Sequence, residues 1–268
     1  TQIVIYTITP TSADGCEGDP YTLTLFINPE PFITVPPIEE ICSDETLNHD
    51  LNNDVNLTGV IFLWVAIDNP DVTGETITTT NTSSITDTLI NTSGTVQDVK
   101  YTILPVSANG CVGSPFVYSY TVRVSPKAFA DPLPTNIICT GTALNHDLTA
   151  DINIPGTTFS WSAAENPDIT GETTTTSTAT NITDTLTNTS GTVQIVTYTI
   201  TPTTADGCEG DTYTYEVTVN PKPIVITPPT DIICSDTTLN HNLNDDVDLT
   251  GETYNWSAVD NPDVTGET

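Results

Sequence analysis

A long internal repeat constrains the fold of this chain more than any other feature. Three sequence blocks recur in step: Leu-Asn-His at 47–49, 144–146 and 239–241, Asn-Pro-Asp at 69–71, 166–168 and 261–263, and Gly-Cys at 15–16, 110–111 and 207–208. Successive copies of each block lie 95 or 97 residues apart. A chain with this period is an array of similar domains, which favours a spacer or filament over a single catalytic site.

The repeat also predicts the domain boundaries. Prolines precede Lys127 and Lys222 at equivalent positions, where they indicate stiff joints between domains. We therefore expect the C-terminal part of a repeat at 1–29, complete repeats at 30–126 and 127–221, and the N-terminal part of a further repeat at 222–268. Thr1 corresponds to Val193 and Thr268 to Thr173, so we expect the chain to be a stretch of a longer repetitive protein.

Charge limits the partners that such an array can have. Four Lys and Arg residues stand against 35 Asp and Glu residues, a formal net charge of −31. A chain this acidic repels phosphate backbones, so we expect no nucleic-acid binding. No apolar run reaches the roughly 18–20 residues of a membrane span, and we expect no direct membrane insertion. High negative charge suits a soluble extracellular or cell-surface protein.

Alternating apolar and polar residues predict an all-β fold. The segment 213–220 has Tyr213, Tyr215, Val217 and Val219 on one face and polar residues on the other. About seven such strands in about 96 residues, with a Trp on the third, are typical of an immunoglobulin-like β-sandwich. We expect the recurring aromatic residues to be core residues: Trp64, Trp161 and Trp256, and Tyr6, Tyr101 and Tyr198.

Combined motifs in each period resemble a known family. Ile-Cys-(Ser/Thr)-x-x-x-Leu-Asn-His, then Asn-Pro-Asp-(Val/Ile)-Thr-Gly-Glu-Thr, then Tyr-Thr-Ile-x-Pro and Gly-Cys, are similar to the PKD-like repeats of giant surface proteins in Bacteroidota. The Trp-Asp-Phe-Gly-Asp-Gly signature of the founding PKD domains is absent, so the resemblance is to a divergent branch. It covers the whole chain and implies tandem, extracellular, non-enzymatic domains.

The six cysteines fall two per period and predict disulfides in an oxidising compartment. We expect bonds within domains, Cys42 to Cys111 and Cys139 to Cys208, because bridged Cα atoms lie about 4.4–6.8 Å apart. Cys16 and Cys234 would pair outside this chain. This pairing requires Cys139 to lie at the same end of its domain as the Gly-Cys turn. If Cys139 lies in the first inter-strand loop, the two would be at opposite ends.

Glycosylation signals recur along the chain. Asn-x-Ser/Thr sequons occur at Asn56, Asn81, Asn91, Asn181, Asn188 and Asn255. Asp-Thr-Leu, which resembles the O-glycosylation signal of Bacteroidota, places candidate sites at Thr88 and Thr185. The alternative is a bare Thr-rich strand, since hydroxyls suit β-structure.

Acidic turns are the only candidate metal sites. Calcium could bind at Asp14, Glu17 and Asp19 and at the equivalent Asp206, Glu209 and Asp211, since Ca²⁺ takes six to eight oxygen ligands. The middle copy of this turn has lost its carboxylates, and solvated turns are the alternative. His49, His146 and His241 lie between leucines, where we expect structural roles.

No nucleophile motif or phosphate-binding glycine loop occurs, and we expect no enzyme and no catalytic residues. The sequence therefore predicts a structural segment of an extracellular fibre or adhesin stalk. Its partners would be further copies of the repeat, other strands of a fibre, and glycans. The alternative is a carbohydrate- or protein-binding module, which would show exposed aromatic residues that differ between repeats.

Overall fold

The structure is a computed structural model that describes residues 1–113, 118–131, 133–226 and 230–266. The chain divides into two compact units. One comprises Thr1–Ala128 with Thr203–Gly210, and the other comprises Phe129–Pro202 with Asp211–Thr268. The first and second complete repeats are the predicted ranges 30–126 and 127–221.

An antiparallel hairpin opens the chain, formed by β1 (Gln2–Ile8) and β2 (Tyr21–Ile27). In the first complete repeat the elements are β3 (Glu39–Cys42), β4 (Glu45–Thr46), β5 (His49–Asp50), a 3₁₀ turn (Leu51–Asn53), β6 (Ile61–Ile67), β7 (Val72–Thr73), β8 (Ser84–Ile85), β9 (Thr88–Asn91), β10 (Gln97–Val106) and β11 (Tyr118–Ser125).

The second complete repeat has the same order. Its elements are β12 (Asn136–Cys139), β13 (Thr142–Ala143), β14 (His146–Asp147), a 3₁₀ turn (Leu148–Ala150), β15 (Thr158–Ala163), β16 (Ile169–Thr170), β17 (Asn181–Ile182), β18 (Thr185–Asn188), β19 (Gln194–Thr203) and β20 (Tyr213–Asn220). A further 3₁₀ turn spans Leu243–Asp246.

Each complete repeat folds into two layers of strands. One layer is a four-stranded sheet, in the order β3-β11-β10-β6 in the first repeat and β12-β20-β19-β15 in the second. Its first strand runs parallel to its neighbour in both repeats. The pairs β10–β11, β6–β10 and β19–β20 are antiparallel. The second layer consists of β4-β9-β7 with β5-β8, and of β13-β18-β16 with β14-β17. The predicted all-β fold of tandem immunoglobulin-like sandwiches is confirmed.

Alternation along the strands builds the core between the layers. In β10 the residues Val99, Tyr101 and Ile103 are buried, and the residues between them face outward. Trp64 and Trp161 are each 4% exposed, as predicted. Each indole N–H donates to a backbone carbonyl, that of Thr82 at 3.0 Å and that of Ala179 at 2.8 Å. The buried ring nitrogen is therefore satisfied, which its burial requires.

The incomplete repeats at the two ends differ from the complete ones. Trp256 is 70% exposed and Tyr6 is 50% exposed, whereas the equivalent Tyr101 is fully buried. The prediction that Trp256 and Tyr6 are core residues is wrong for this chain. The reason is physical: each lacks, within the described residues, the opposite layer that covers its counterpart in a complete repeat.

A glycine fixes the second layer at the Asn-Pro-Asp motif. Gly74 and Gly171 have φ angles of 94° and 96°, which disfavour any residue with a Cβ atom. A Cβ on Gly74 would also lie 2.0 Å from the Thr88 carbonyl oxygen, and one on Gly171 would lie 2.2 Å from that of Thr185. The recurrent Thr-Gly-Glu-Thr segment therefore lets one strand approach the next closely.

Candidate functional sites

The chain contains a disulfide bond between two cysteines that were predicted to pair differently. Cys42 bonds to Cys208, with their Cα atoms 5.5 Å apart and a sequence separation of 166 residues. Both residues belong to the first compact unit. Cys16, Cys111, Cys139 and Cys234 are free. Cys42 and Cys208 are thus disulfide cysteines, but the predicted pairs Cys42–Cys111 and Cys139–Cys208 are wrong.

The sheet register explains why those pairs do not form. Cys42 lies opposite Ser125, at the C-terminal end of β11, whereas Cys111 precedes the N-terminal end of that strand. A strand of eight residues spans more than about 20 Å. Cys139 likewise lies opposite Asn220, at the far end of β20 from Cys208. A disulfide bridges only a few ångströms, so no bond within one repeat can join these positions.

A histidine–aspartate pair recurs in every repeat copy that contains the Leu-Asn-His block. The Nε2 atoms of His49, His146 and His241 lie 2.6, 2.8 and 2.7 Å from the Oδ2 atoms of Asp54, Asp151 and Asp246. The 3₁₀ turn between them brings the carboxylate back to the ring five residues away. The signal in the sequence is the constant spacing of five residues between each histidine and its aspartate.

Each of the first two imidazoles also stacks on a tyrosine. His49 lies 4.2 Å from Tyr120 and His146 lies 4.0 Å from Tyr215, measured between ring centroids. The Tyr120 hydroxyl donates to Glu39, and Tyr215 accepts a hydrogen bond from Asn136. The imidazoles are thus held by packing and hydrogen bonds at the rim of the core, which is a structural role. The pKa of His241 is raised, chiefly by its hydrogen bond to Asp246.

A second recurrent cluster lies deeper in the sandwich. The Tyr101 hydroxyl donates to Asp87 at 2.9 Å, and Thr76 donates to the same carboxylate through its backbone N–H and its hydroxyl. The equivalent groups, Tyr198, Asp184 and Thr173, make the same three bonds. Burial, and then the neighbouring aspartate, raise the pKa of both tyrosines. The prediction that these tyrosines are core residues is confirmed, but their carboxylate partners were not predicted.

Two predicted N-glycosylation sites are inaccessible. Asn91 is 7% exposed and Asn188 is 8% exposed. The Asn91 side-chain N–H₂ group donates to the carbonyls of Thr95 and Val124, and that of Asn188 donates to those of Thr192 and Val219. A glycan on either side-chain nitrogen would break these hydrogen bonds and would have to fit inside the core. The prediction that Asn91 and Asn188 carry glycans is therefore wrong for the folded chain.

The other candidate acceptors lie nearer the surface. Asn56, Asn81 and Asn255 are exposed, and Asn181 is half-buried. Thr88 and Thr185 are exposed on β9 and β18, and the Thr88 hydroxyl lies 2.8 Å from that of Thr46. The aspartate before each threonine, however, binds the buried tyrosine. An enzyme that reads this aspartate would have to act before its segment folds.

Acidic side chains do not gather into a metal centre in the part of the chain that the structure describes. No group of three or more His, Cys, Asp or Glu residues there has a metal-binding arrangement. The candidate calcium ligands in the first turn, Asp14, Glu17 and Asp19, are exposed, as are Asp206, Glu209 and Asp211 in the third. Within the described residues, no helix is long and apolar enough to cross a membrane.

The four-stranded sheets differ on their outer faces. The first repeat exposes Ile61, Leu63 and Ile67 on β6. The equivalent positions in the second repeat are Thr158, Ser160 and Ala164. This aliphatic strip is aligned with β10, where Leu104 pairs with Leu63 and Val106 with Ile61. The strip is therefore a property of one repeat, not of the shared fold.

Comparison with protein families accounts for the shared features. The PKD-like domain matches residues 1–31, 39–128, 136–223 and 231–268. The chain belongs to the PKD-like domain family. Four tandem copies of this family's domain, two of them complete sandwiches in the structure, therefore make up nearly the whole sequence. Comparison with curated proteins finds no match.

The chain also matches solved structures of several kinds of protein at low sequence identity. Mouse cadherin-23 EC22–24 is 9% identical and covers 82% of this chain and 74% of its own, with a TM-score of 0.30. A surface glycan-binding protein from the mixed-linkage glucan utilization locus of Bacteroides ovatus is 14% identical and covers 80% and 76%, with a TM-score of 0.25. A SusE-like surface polysaccharide-binding protein of Bacteroides thetaiotaomicron is 9% identical and covers 73% and 34%, with a TM-score of 0.31.

Proposed function

We propose that this chain is a structural segment of an extracellular fibre or adhesin stalk, without enzymatic activity. The proposal rests on the observation that, within the described residues, the two complete repeats share packing residues but share no cleft lined by groups that could act on a substrate. The recurrent polar clusters are all internal: Asp87 serves Tyr101 and Thr76, and Asp54 serves His49. Each polar group satisfies another protein group, which leaves none of them directed at a substrate.

The disulfide supports an extracellular location. Disulfides persist in oxidising compartments and are rare in the cytosol. In the chain-entropy model, closing a loop of 166 residues stabilises the fold by about 5 kcal/mol. The net charge of −31 would keep the protein soluble and would make separate fibres repel one another. Further copies of the repeat and surface glycans are the partners that this function implies.

A force measurement tests the stalk function directly. With both ends pulled, the Cys42–Cys208 bond keeps the residues between them from extending. Reduction should therefore lengthen the fully stretched chain by roughly 580 Å, at about 3.5 Å per residue. A Cys42→Ser variant should show the longer length without reduction. A chain whose folded repeats yield at negligible force, with or without the bond, would count against a stalk.

The aliphatic strip on the first complete repeat favours a second candidate, a protein- or carbohydrate-binding module. Ile61, Leu63 and Ile67 are exposed in one repeat only, as expected for a surface under separate selection. The strip contains no aromatic residue, which weakens the case for sugar stacking. Binding of the chain to a glycan array or to surface proteins, lost in an Ile61→Thr/Leu63→Ser variant, would promote this function over the stalk.

Glycans and calcium complete the proposal. We expect any glycan on Thr88, Thr185 or the accessible asparagines, and intact mass of the native chain tests this. Calcium at the acidic turns would raise the melting temperature, and chelation would reverse the rise. A native mass equal to the sequence mass would rule out glycans. A melting temperature that does not change with calcium would rule out calcium binding, and neither result would count against the stalk function.

A further inference from the structure

The disulfide Cys42–Cys208 joins two different kinds of position in the repeat. Cys42 ends the first strand of one repeat, and Cys208 lies in the Gly-Cys turn of the next. Cys139 is equivalent to Cys42, and Cys111 is equivalent to Cys208. Both Cys111 and Cys139 are free. This sequence has no Gly-Cys pair after Cys208 and no first-strand cysteine before Cys16.

We propose that this bond is a rule of the array: the first-strand cysteine of each repeat bonds to the Gly-Cys turn of the following repeat. Cys139 then bonds to the turn of the fourth repeat wherever that repeat continues through its turn. Cys111 bonds to the first-strand cysteine of the repeat to which β1 and β2 belong. The inference rests on the observed bond and does not depend on the stalk function.

The surroundings of Cys139 fit such a partner. A cleft of about 530 Å³ beside the observed bond is lined by Val96, Arg123 and Glu40, together with Asp206 of the turn. The positions equivalent to Glu40 and Val96 are Ile137 and Val193, which are 64% and 56% exposed. Exposed aliphatic side chains beside an exposed cysteine match a surface that the turn of the next repeat would cover.

Forming the bond is a two-electron oxidation. The two thiols lose two protons and two electrons, and a disulfide oxidant accepts them and becomes two thiols. Glutathione disulfide supplies this oxidant in a test tube, and a thiol oxidoreductase would supply it in an oxidising compartment. Cys139 is exposed before the bond forms, so an oxidant can reach it.

Overlap between successive loops gives the array a property that a single bond lacks. Cys139 lies inside the loop that Cys42 and Cys208 close. If every repeat follows the rule, each peptide bond in the interior of the array lies within at least one closed loop. A single proteolytic cut then leaves the fibre covalently continuous, which would protect a long extracellular protein.

An extended chain tests the pairing. Because Thr268 corresponds to Thr173, a copy of residues 174–223 appended after Thr268 completes the fourth repeat and adds one turn cysteine. After oxidative refolding with a glutathione couple, peptide mapping should find Cys139 bonded to the appended cysteine and Cys42 bonded to Cys208. Cys139→Ser should remove the first bond alone, and Cys42→Ser should remove the second alone.

Three results of the peptide mapping would contradict the pairing rule. An appended cysteine that bonds to Cys234, within its own repeat, would overturn the rule, and so would one that stays free while Cys42–Cys208 forms. A Cys42–Cys111 bond would remove the observation on which the rule rests. A failed force measurement would count against the stalk and leave this pairing intact.

A protease site inserted at Thr175, which is exposed, tests the continuity. Cut chains should run as one species on a denaturing gel without reductant and as two with it. The matched control is the same site at Asp14, outside the loop, where cutting should release a fragment in both gels. In a Cys208→Ser background the cut at Thr175 should also release a fragment, and release from the unmodified background would contradict the proposal.

Discussion

One row of residues crosses the outer face of the four-stranded sheet differently in the two complete repeats. In the first, Arg123 on β11 lies between Glu40 and Asp98 and forms ion pairs with them at 3.1 and 3.4 Å. In the second, the same row reads Ile137, Thr218 and Ile195. All three residues of the row therefore differ between the repeats: a charged triad in the first corresponds to two isoleucines on either side of a threonine in the second.

The inner faces of the same strands are not exchanged. Trp64 and Tyr101 meet edge to face at 5.7 Å, and Trp161 and Tyr198 meet at 5.8 Å. The difference shows where the fold is specified. The core fixes the sandwich in both repeats, and the outer faces are free to change provided that cross-strand neighbours change together.

The largest expected effect tests whether the two cores are equivalent. Trp64→Ala and Trp161→Ala should each destabilise their own repeat by about 3–5 kcal/mol, from lost burial and a cavity. Hydrogen exchange read by mass spectrometry should show loss of protection confined to the altered repeat. Trp256→Ala is the matched control and should cost little, because Trp256 is exposed here. A near-neutral Trp161→Ala would break the equivalence.

Features that depend on local sequence patterns could be predicted, whereas features that depend on distant residues could not. Strict alternation along 213–220 predicted β20 and its buried face, since every second residue of a strand shares a side. The pairing of Cys42 could not be predicted, because it depends on a turn that belongs to another copy of the repeat. The burial of Asn91 was missed for a related reason: a sequon is local, whereas its partner Val124 lies 33 residues away.

The buried carboxylates should give the next largest effect. Asp87→Ala should destabilise the first repeat by about 1–3 kcal/mol, because the buried hydroxyl of Tyr101 and the N–H of Thr76 lose their acceptor. Asp184→Ala should cost the second repeat a similar amount. Urea unfolding measures both, and Asp87→Asn, which keeps an acceptor oxygen, should cost less. Clearly unequal costs would show that the two clusters differ in importance.

Alkaline pH should act on both repeats alike. Burial raises the folded-state pKa of Tyr101 and Tyr198 above the usual value of about 10. The neighbouring carboxylates, Asp87 and Asp184 respectively, raise it further. The stability that their neutral hydroxyls provide is fully present below pH ~10. It is lost as the pH rises toward the folded-state pKa, by up to about 1.4 kcal/mol per pH unit for each tyrosine.

Unfolding followed by tyrosinate absorbance checks this dependence. Tyr101→Phe should reduce the alkaline loss in the first repeat and leave that of the second unchanged. Titration of both tyrosines near pH 10 in a chain that stays folded would contradict the burial of their hydroxyls.

The smallest expected effect concerns the outer row of Glu40, Arg123 and Asp98. Replacing Glu40, Arg123 and Asp98 by Ile, Thr and Ile should change the stability of the first repeat by no more than about 1 kcal/mol, since exposed ion pairs contribute little. Arg123→Thr alone should cost more than the triple replacement, because it leaves two carboxylates facing each other across β11. Adding salt should shrink the cost of the single variant, because screening weakens the repulsion between exposed charges. A single variant as stable as the parent at low salt would mean that the row is exchanged for binding or solubility, and not because its members stabilise one another.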